Sequence, residues 1–108
     1  MNYATWHEVV VSRYGEGDFY KKHRDTLWDD ITRRIVTLVY YVNKEPKGFT
    51  GGSLDLWDST RKISIEPKNN FAVVFPSFAY HEVEMVRMDT ERWDMARFSV
   101  NYWLGFMS

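Results

Sequence analysis

Cysteine is absent from the 108-residue sequence, which excludes disulfides, thiolate catalysis and cysteine-ligated zinc together. An excess of one charge is also lacking. Lysine and arginine number 14 against 15 acidic residues, a formal net charge of -1, which argues against a broad electrostatic grip on DNA or RNA. Long apolar runs are missing, and the stretch Met1 to Trp6 is polar. Neither a signal peptide nor a membrane span is expected, and a cytoplasmic protein is the default. No repeat, low-complexity tract or linker interrupts the chain, so a single domain over residues 1–108 is expected. Histidine is scarce, and His7 lies apart from every motif below and reads as a surface residue.

What is present points to strands. Aromatic residues make up 18% of the chain, which suits pleated surfaces that bury Tyr, Trp and Phe. Trp6–Tyr14, Asp18–Arg24, Ile35–Asn43, Ser53–Trp57, Lys62–Glu66, Phe71–Phe75, a strand opening at His81, and Arg97–Phe106 read as strands. Thr26–Arg33 reads as a loop over a site mouth, Lys44–Gly52 as turn chemistry, and Met85–Met95 as a charged excursion. About eight strands with little helix predict an all-β jelly-roll or barrel. Alternation divides the two best strands into a mixed and an apolar face. Arg97, Ser99, Asn101 and Trp103 oppose Phe98, Val100, Tyr102 and Leu104, while Thr37, Val39 and Tyr41 oppose Val36, Leu38, Tyr40 and Val42. If the mixed face lines a cavity, the apolar face needs a cover, and the expectation is either a homo-oligomer formed through that outer face or a longer parent of which these residues are the catalytic core.

The chemistry concentrates in Phe19-Tyr20-Lys21-Lys22-His23-Arg24-Asp25. In extended chain the two-residue spacing sets His23 and Asp25 on one face. His81 is a second imidazole, and Arg97 follows sixteen positions later at the head of a strand. Two imidazoles and one carboxylate form the three-ligand set that holds non-haem Fe(II) and leaves open positions. Lys21-Lys22 reads as a solvated pair, with contact to an acidic substrate as the sharper alternative. Gly51-Gly52 reads as a tight turn or bulge rather than a phosphate loop.

In order along the chain stand Tyr14-Gly15, His23-x-Asp25, Val39-Tyr40-Tyr41-Val42-Asn43, Gly51-Gly52-x-Leu54, Ile65-Glu66-Pro67-Lys68, Val74-Phe75-Pro76, His81-Glu82-Val83 and Arg97-Phe98-Ser99 leading to Trp103. This series resembles the Fe(II)/2-oxoglutarate-dependent dioxygenases, and among them the prolyl 4-hydroxylase-like branch. The resemblance implies a cupin-like double-stranded β-helix with His23, Asp25 and His81 as catalytic iron ligands. It implies Arg97 for the distal carboxylate of 2-oxoglutarate, Tyr41 and Tyr14 assisting, and Asn101 and Trp103 as pocket wall. The implied cofactors are Fe(II), 2-oxoglutarate and O2. The implied reaction hydroxylates a peptidyl residue, proline first, or an amino acid-like small molecule, and releases succinate and CO2. Asp25 is retained where halogenating relatives carry a small residue, so hydroxylation is the expected outcome.

Two departures qualify the resemblance. The excursion between His81 and Arg97 is longer than in prolyl hydroxylases, which suggests a lid or substrate loop. Trp103 stands where nucleic-acid demethylases have a second arginine, which together with the balanced charge argues against a nucleic-acid substrate. The alternatives are a non-catalytic jelly-roll that binds metal and 2-oxoglutarate, the truncated core of a longer oxygenase, or a zinc hydrolase using the same triad.

Overall fold

The computed structural model describes residues 5–26 and 32–107. Ten strands account for most of them: β1 Thr5–Tyr14, β2 Tyr20–His23, β3 Thr32–Val42, β4 Thr50–Gly51, β5 Leu54–Asp58, β6 Arg61–Ile65, β7 Ala72–Pro76, β8 His81–Val83, β9 Val86–Arg87 and β10 Arg97–Met107. Among the described residues the helical structure is a single 3-10 turn, Trp93–Met95. None of their helices is long and apolar enough to cross a membrane. The expected loop Thr26–Arg33 lies mostly outside the described residues, and its last two positions already belong to β3.

Two antiparallel four-stranded sheets face each other, ordered β1-β10-β3-β7 and β2-β8-β5-β6. This is the expected double-stranded β-helix. The strand count exceeds the expected eight through the two-residue pair β4-β9, which lies in segments whose glycines and charges read as turn and excursion. Such short pairs leave no periodicity to detect.

The mixed face of the larger sheet points inward. Thr37, Val39, Tyr41, Arg97, Ser99 and Trp103 are all buried. Between the sheets, contents divide by side. Near β7 and β6, Val39, Tyr41, Leu54 and Phe75 form an apolar core with Leu56, Ile65, Val73 and Val83 against it. Burying each large side chain there contributes roughly 1.5–3 kcal/mol. Near β1 and β2 the space between the sheets stays open as a cavity.

A β-bulge breaks the pairing of β3 with β10. Leu104 pairs with Val36 but Gly105 pairs with Arg34, so Ile35 is the extra residue. The slip returns Arg34 to the inner face, because the side-chain period restarts after the inserted residue.

None of the residues of the excursion Met85–Met95, the expected lid or substrate loop, lines this cavity. Glu16 holds the excursion, accepting from the Met88 N–H at 2.7 Å and from Arg87 at 2.9 Å. The Val86 carbonyl accepts from Gly17, and the Val86 N–H donates to Asp18. Trp93 packs edge-on against Phe98, with the Arg13 guanidinium 4.9 Å from its ring centre.

Candidate active site

A cavity of about 270 Å3 opens between the sheets. Its walls carry Tyr14, His23, Asp25, His81, Arg97, Asn101 and Trp103, seven residues that the sequence alone marks for the site. Tyr41 is the exception. It is 1% exposed and stands beside Arg97 rather than on the wall.

At one end β2 and β8 pair His23 directly with His81. Asp25 follows just beyond β2, where its N–H donates to the Ser77 carbonyl at 3.0 Å. One ligand atom from each of the three residues lies within 4.8 Å of the others. Asp25 Oδ1 is 3.2 Å from His23 Nε2 and 3.4 Å from His81 Nε2.

The neighbours set which atoms point inward. His23 Nδ1 donates to the Lys21 carbonyl at 2.7 Å and His81 Nδ1 to the Ala79 carbonyl at 3.0 Å. A carbonyl only accepts, so the proton sits on Nδ1 and the Nε2 lone pair faces Asp25. Asp25 Oδ2 accepts from Thr37 Oγ1 and from Trp103 Nε1, each at 3.0 Å. Oδ1 is left for the centre. Burial alone would raise the Asp25 pKa; with an imidazole proton shared among His23, His81 and Oδ1, those contacts and the Trp103 hydrogen bond hold the carboxyl far below its usual range. Lone pairs of two neutral imidazoles and a carboxylate converging on one point repel unless a cation sits among them or an imidazole is protonated. The donor set therefore fits a divalent metal of the Fe(II) type.

At the other end Arg97 is 2% exposed. Its Nε donates to the Gly52 carbonyl at 2.8 Å, and its guanidinium lies 4.9 Å from the Tyr14 ring centre and 5.1 Å from that of Tyr41. Among the described residues no carboxylate pairs with it; Asp94, its acidic neighbour in sequence, binds Lys44 and Arg92 instead. Burial presses the Arg97 pKa down while the two tyrosines oppose the shift. The buried Tyr41 hydroxyl has no hydrogen-bond partner of good geometry, and burial raises its pKa although Arg97 works against the rise. A buried cation without its anion, beside an orphaned hydroxyl, fits one end of a small dicarboxylate.

Gly52 permits this approach. It holds φ +72, and a Cβ there would stand 2.7 Å from Arg97 Cδ. The turn expected at Gly51-Gly52 thus brings backbone against the buried guanidinium.

The sequence reasoning missed three contributors. Thr37, on the mixed face of β3, holds Asp25 and also bonds Ser77 Oγ at 2.8 Å. Tyr20 packs tilted against His23 with ring centres 4.0 Å apart. Arg34 lies 4.2 Å from the Trp103 ring centre and pairs with Glu8. Alternation marks Thr37 as inward-facing, whereas the bulge that admits Arg34 leaves no trace in composition.

Comparison with known proteins decides the family. The family model described as the 2OG-Fe(II) oxygenase superfamily matches residues 9–105. The chain belongs to the 2OG-Fe(II) oxygenase superfamily. Membership implies Fe(II), 2-oxoglutarate and O2 as cofactors, which the donor set and the buried arginine fit. Among relatives in this superfamily, an uncharacterized PKHD-type hydroxylase of Synechocystis sp. is 34% identical over 107 residues, covering 90% of this chain and 35% of its own length. A prolyl-4-hydroxylase of Pseudomonas putida superposes with a TM-score of 0.72 at 30% identity, covering 90% of this chain and 51% of its own. A Trichoplax adhaerens prolyl hydroxylase, solved with a hypoxia inducible factor peptide fragment, also gives 0.72, at 24% identity over 98% of this chain and 46% of its own; it speaks for the fold alone. The chain spans about a third of the length of the first curated relative and about half that of the solved ones.

Proposed function

We propose that this chain is a hydroxylase dependent on Fe(II) and 2-oxoglutarate, with His23, Asp25 and His81 as iron ligands and Arg97 receiving the distal carboxylate of 2-oxoglutarate. The observation that carries this reading is one cavity lined by a three-ligand cluster and by an arginine that has no carboxylate partner among the described residues. When bound, the iron supplies dioxygen activation coupled to decarboxylation of 2-oxoglutarate to succinate and CO2, with hydroxylation of the substrate.

The chain's own residues prepare the site. Lys21 and Ala79 carbonyls hold both imidazoles in the tautomer that presents Nε2. Thr37 and Trp103 hold Oδ2 so that Asp25 presents one oxygen. A carboxylate on Arg97 supplies the acceptor that the Tyr41 hydroxyl lacks, and the planar guanidinium grips it through two parallel hydrogen bonds. Tyr14, its ring centre 4.9 Å from that guanidinium, lines the cavity, as does the Asn101 side chain, bonded to Ser99 at 2.9 Å. The substrate in this reading is a peptidyl residue, proline first, or an amino acid-like molecule, and its support is the likeness to the P. putida prolyl-4-hydroxylase.

We also propose that a second copy of the chain covers the apolar outer face of the larger sheet. Val9 and Val11 on β1, Leu104 on β10, Val42 on β3 and Val74 on β7 are exposed there together, more contiguous apolar surface than a soluble monomer usually shows.

Anaerobic titration with Fe(II) and then 2-oxoglutarate tests the main reading. A visible charge-transfer band that disappears in His81→Ala is the expected result. Iron binding without a band would leave a metal-binding jelly-roll and sink the cosubstrate assignment.

A further inference from the structure

On the outer face of the smaller sheet, behind the ligand cluster, cations and aromatic rings alternate. Lys22 Nζ lies 4.2 Å from the Trp57 ring centre and 5.5 Å from that of Tyr80, and Arg24 Cζ lies 5.0 Å from Tyr80. The order is Trp57, Lys22, Tyr80, Arg24. Three separate parts of the chain supply it, and a hydrogen bond from the Trp57 N–H to the Tyr80 carbonyl at 3.0 Å fixes the two rings relative to each other. Lys62 stands next along the sheet, paired with Trp57, and the carboxylates of Glu82 and the buried Asp55, paired across β8 and β5, share this face. Lys22 and Arg24 are exposed and make no ion pair among the described residues, while Lys62 is 4.0 Å from Asp55.

The position matters as much as the charge. Lys22 and Arg24 flank His23, Arg24 precedes Asp25, and Tyr80 precedes His81. Side chains alternate across a strand, so residues that neighbour the cluster in sequence face away from it. The ladder therefore lies across the sheet from the cluster, each cation or Tyr80 one residue away from a candidate ligand.

We propose that the Trp57–Lys22–Tyr80–Arg24 ladder docks a peptide segment carrying carboxylate side chains close to the residue that enters the cavity. The proposal rests on the hydroxylase reading of the cavity and assigns its substrate class. The cations are seated on ring faces, which lowers their freedom and removes part of their water, so a carboxylate meets prepared partners. The Arg24 guanidinium, over the Tyr80 ring and in no ion pair among the described residues, can grip a carboxylate in bidentate fashion. A nucleic acid fits less well. Base stacking needs open aromatic faces, and here Lys22 and Arg24 lie over those faces.

The test is fluorescence anisotropy of the full chain with a labelled oligoglutamate peptide, and with a single-stranded oligonucleotide of equal charge as counter-probe. Oligoglutamate is expected to bind, to weaken with added salt, and to lose on the order of tenfold in affinity in Lys22→Glu and in Arg24→Glu. Lys68→Glu, outside the ladder, is expected to change affinity little. No binding by the unaltered chain, equal affinity in all variants, or tighter oligonucleotide binding lost in the same variants would each overturn the proposal. The iron and 2-oxoglutarate band, read on the same samples, separates the two claims. A band without peptide binding sinks only the docking surface, whereas peptide binding without a band sinks the hydroxylase reading and leaves an acidic-peptide module.

Discussion

The two faces of the sheet β1-β10-β3-β7 invert the usual rule. The inner face buries Thr37, Arg97 and Ser99, while the outer face exposes Val11 at 72% and Val74 at 61%. Ordinarily the apolar face of a sheet is the covered one, because polar groups lose water on burial and apolar groups gain by leaving it. An inner face built the other way is tolerable only where the polar groups meet partners. Thr37, Trp103 and Asp25 do so among themselves, whereas Arg97 and Tyr41 leave capacity for a ligand. The outer face poses the mirror problem, apolar surface that none of the described residues covers. Both departures point to something the chain binds, a small polar ligand within and a protein surface without.

The sharpest way to break the inner half of this contrast is Arg97→Ala. Removing one partner of a buried charge pair costs about 2–5 kcal/mol, so 2-oxoglutarate affinity, read from the charge-transfer band, is expected to fall by about 30-fold or more at roughly 1.4 kcal/mol per tenfold. Arg97→Lys restores the charge without the planar fork and is expected to recover only part of the loss. Unchanged affinity in Arg97→Ala would overturn the cosubstrate assignment.

Trp103→Phe is a finer probe. It keeps the ring but removes the Nε1 donor from Asp25 Oδ2. Groups that orient metal ligands typically carry about 10- to 100-fold in affinity, so Fe(II) titration should show weakening in that range while 2-oxoglutarate still produces a band on saturated protein. A loss of the band at saturating iron would mean that the indole shapes the cosubstrate pocket instead.

The smallest energetic effect is expected outside. Val11→Lys with Val74→Lys alters two exposed positions, where substitutions usually shift stability by about 0.5 kcal/mol or less. Light scattering should nevertheless show the unaltered chain above monomer mass and the double variant at it. A clean monomer for the unaltered chain would remove the second copy as the cover.

Much of this was legible before any fold was known. The spacing of His23 and Asp25, the β-branched run Ile35–Asn43 and the alternation of Arg97–Phe106 are local patterns, and each reappears as a strand or a pair of inward side chains. Arg34 was not legible, because a single bulge at Ile35 decides its face and a bulge depends on the partner strand. Nor was the anchoring of Met85–Met95, whose partners Glu16, Gly17 and Asp18 lie some seventy residues away in sequence.

By itself the sequence determined the period-2 strands, the residue types able to hold a metal and a dicarboxylate, and the absence of thiol chemistry. Those follow from local sterics and side-chain chemistry, which act over a few residues. Only the tertiary structure decided that Asp25 presents one oxygen, that Arg97 is buried without a carboxylate, and that Lys22 and Arg24 share rings with Trp57 and Tyr80. These are contacts between distant strands, set by register and sheet order, and no local pattern encodes where two strands meet.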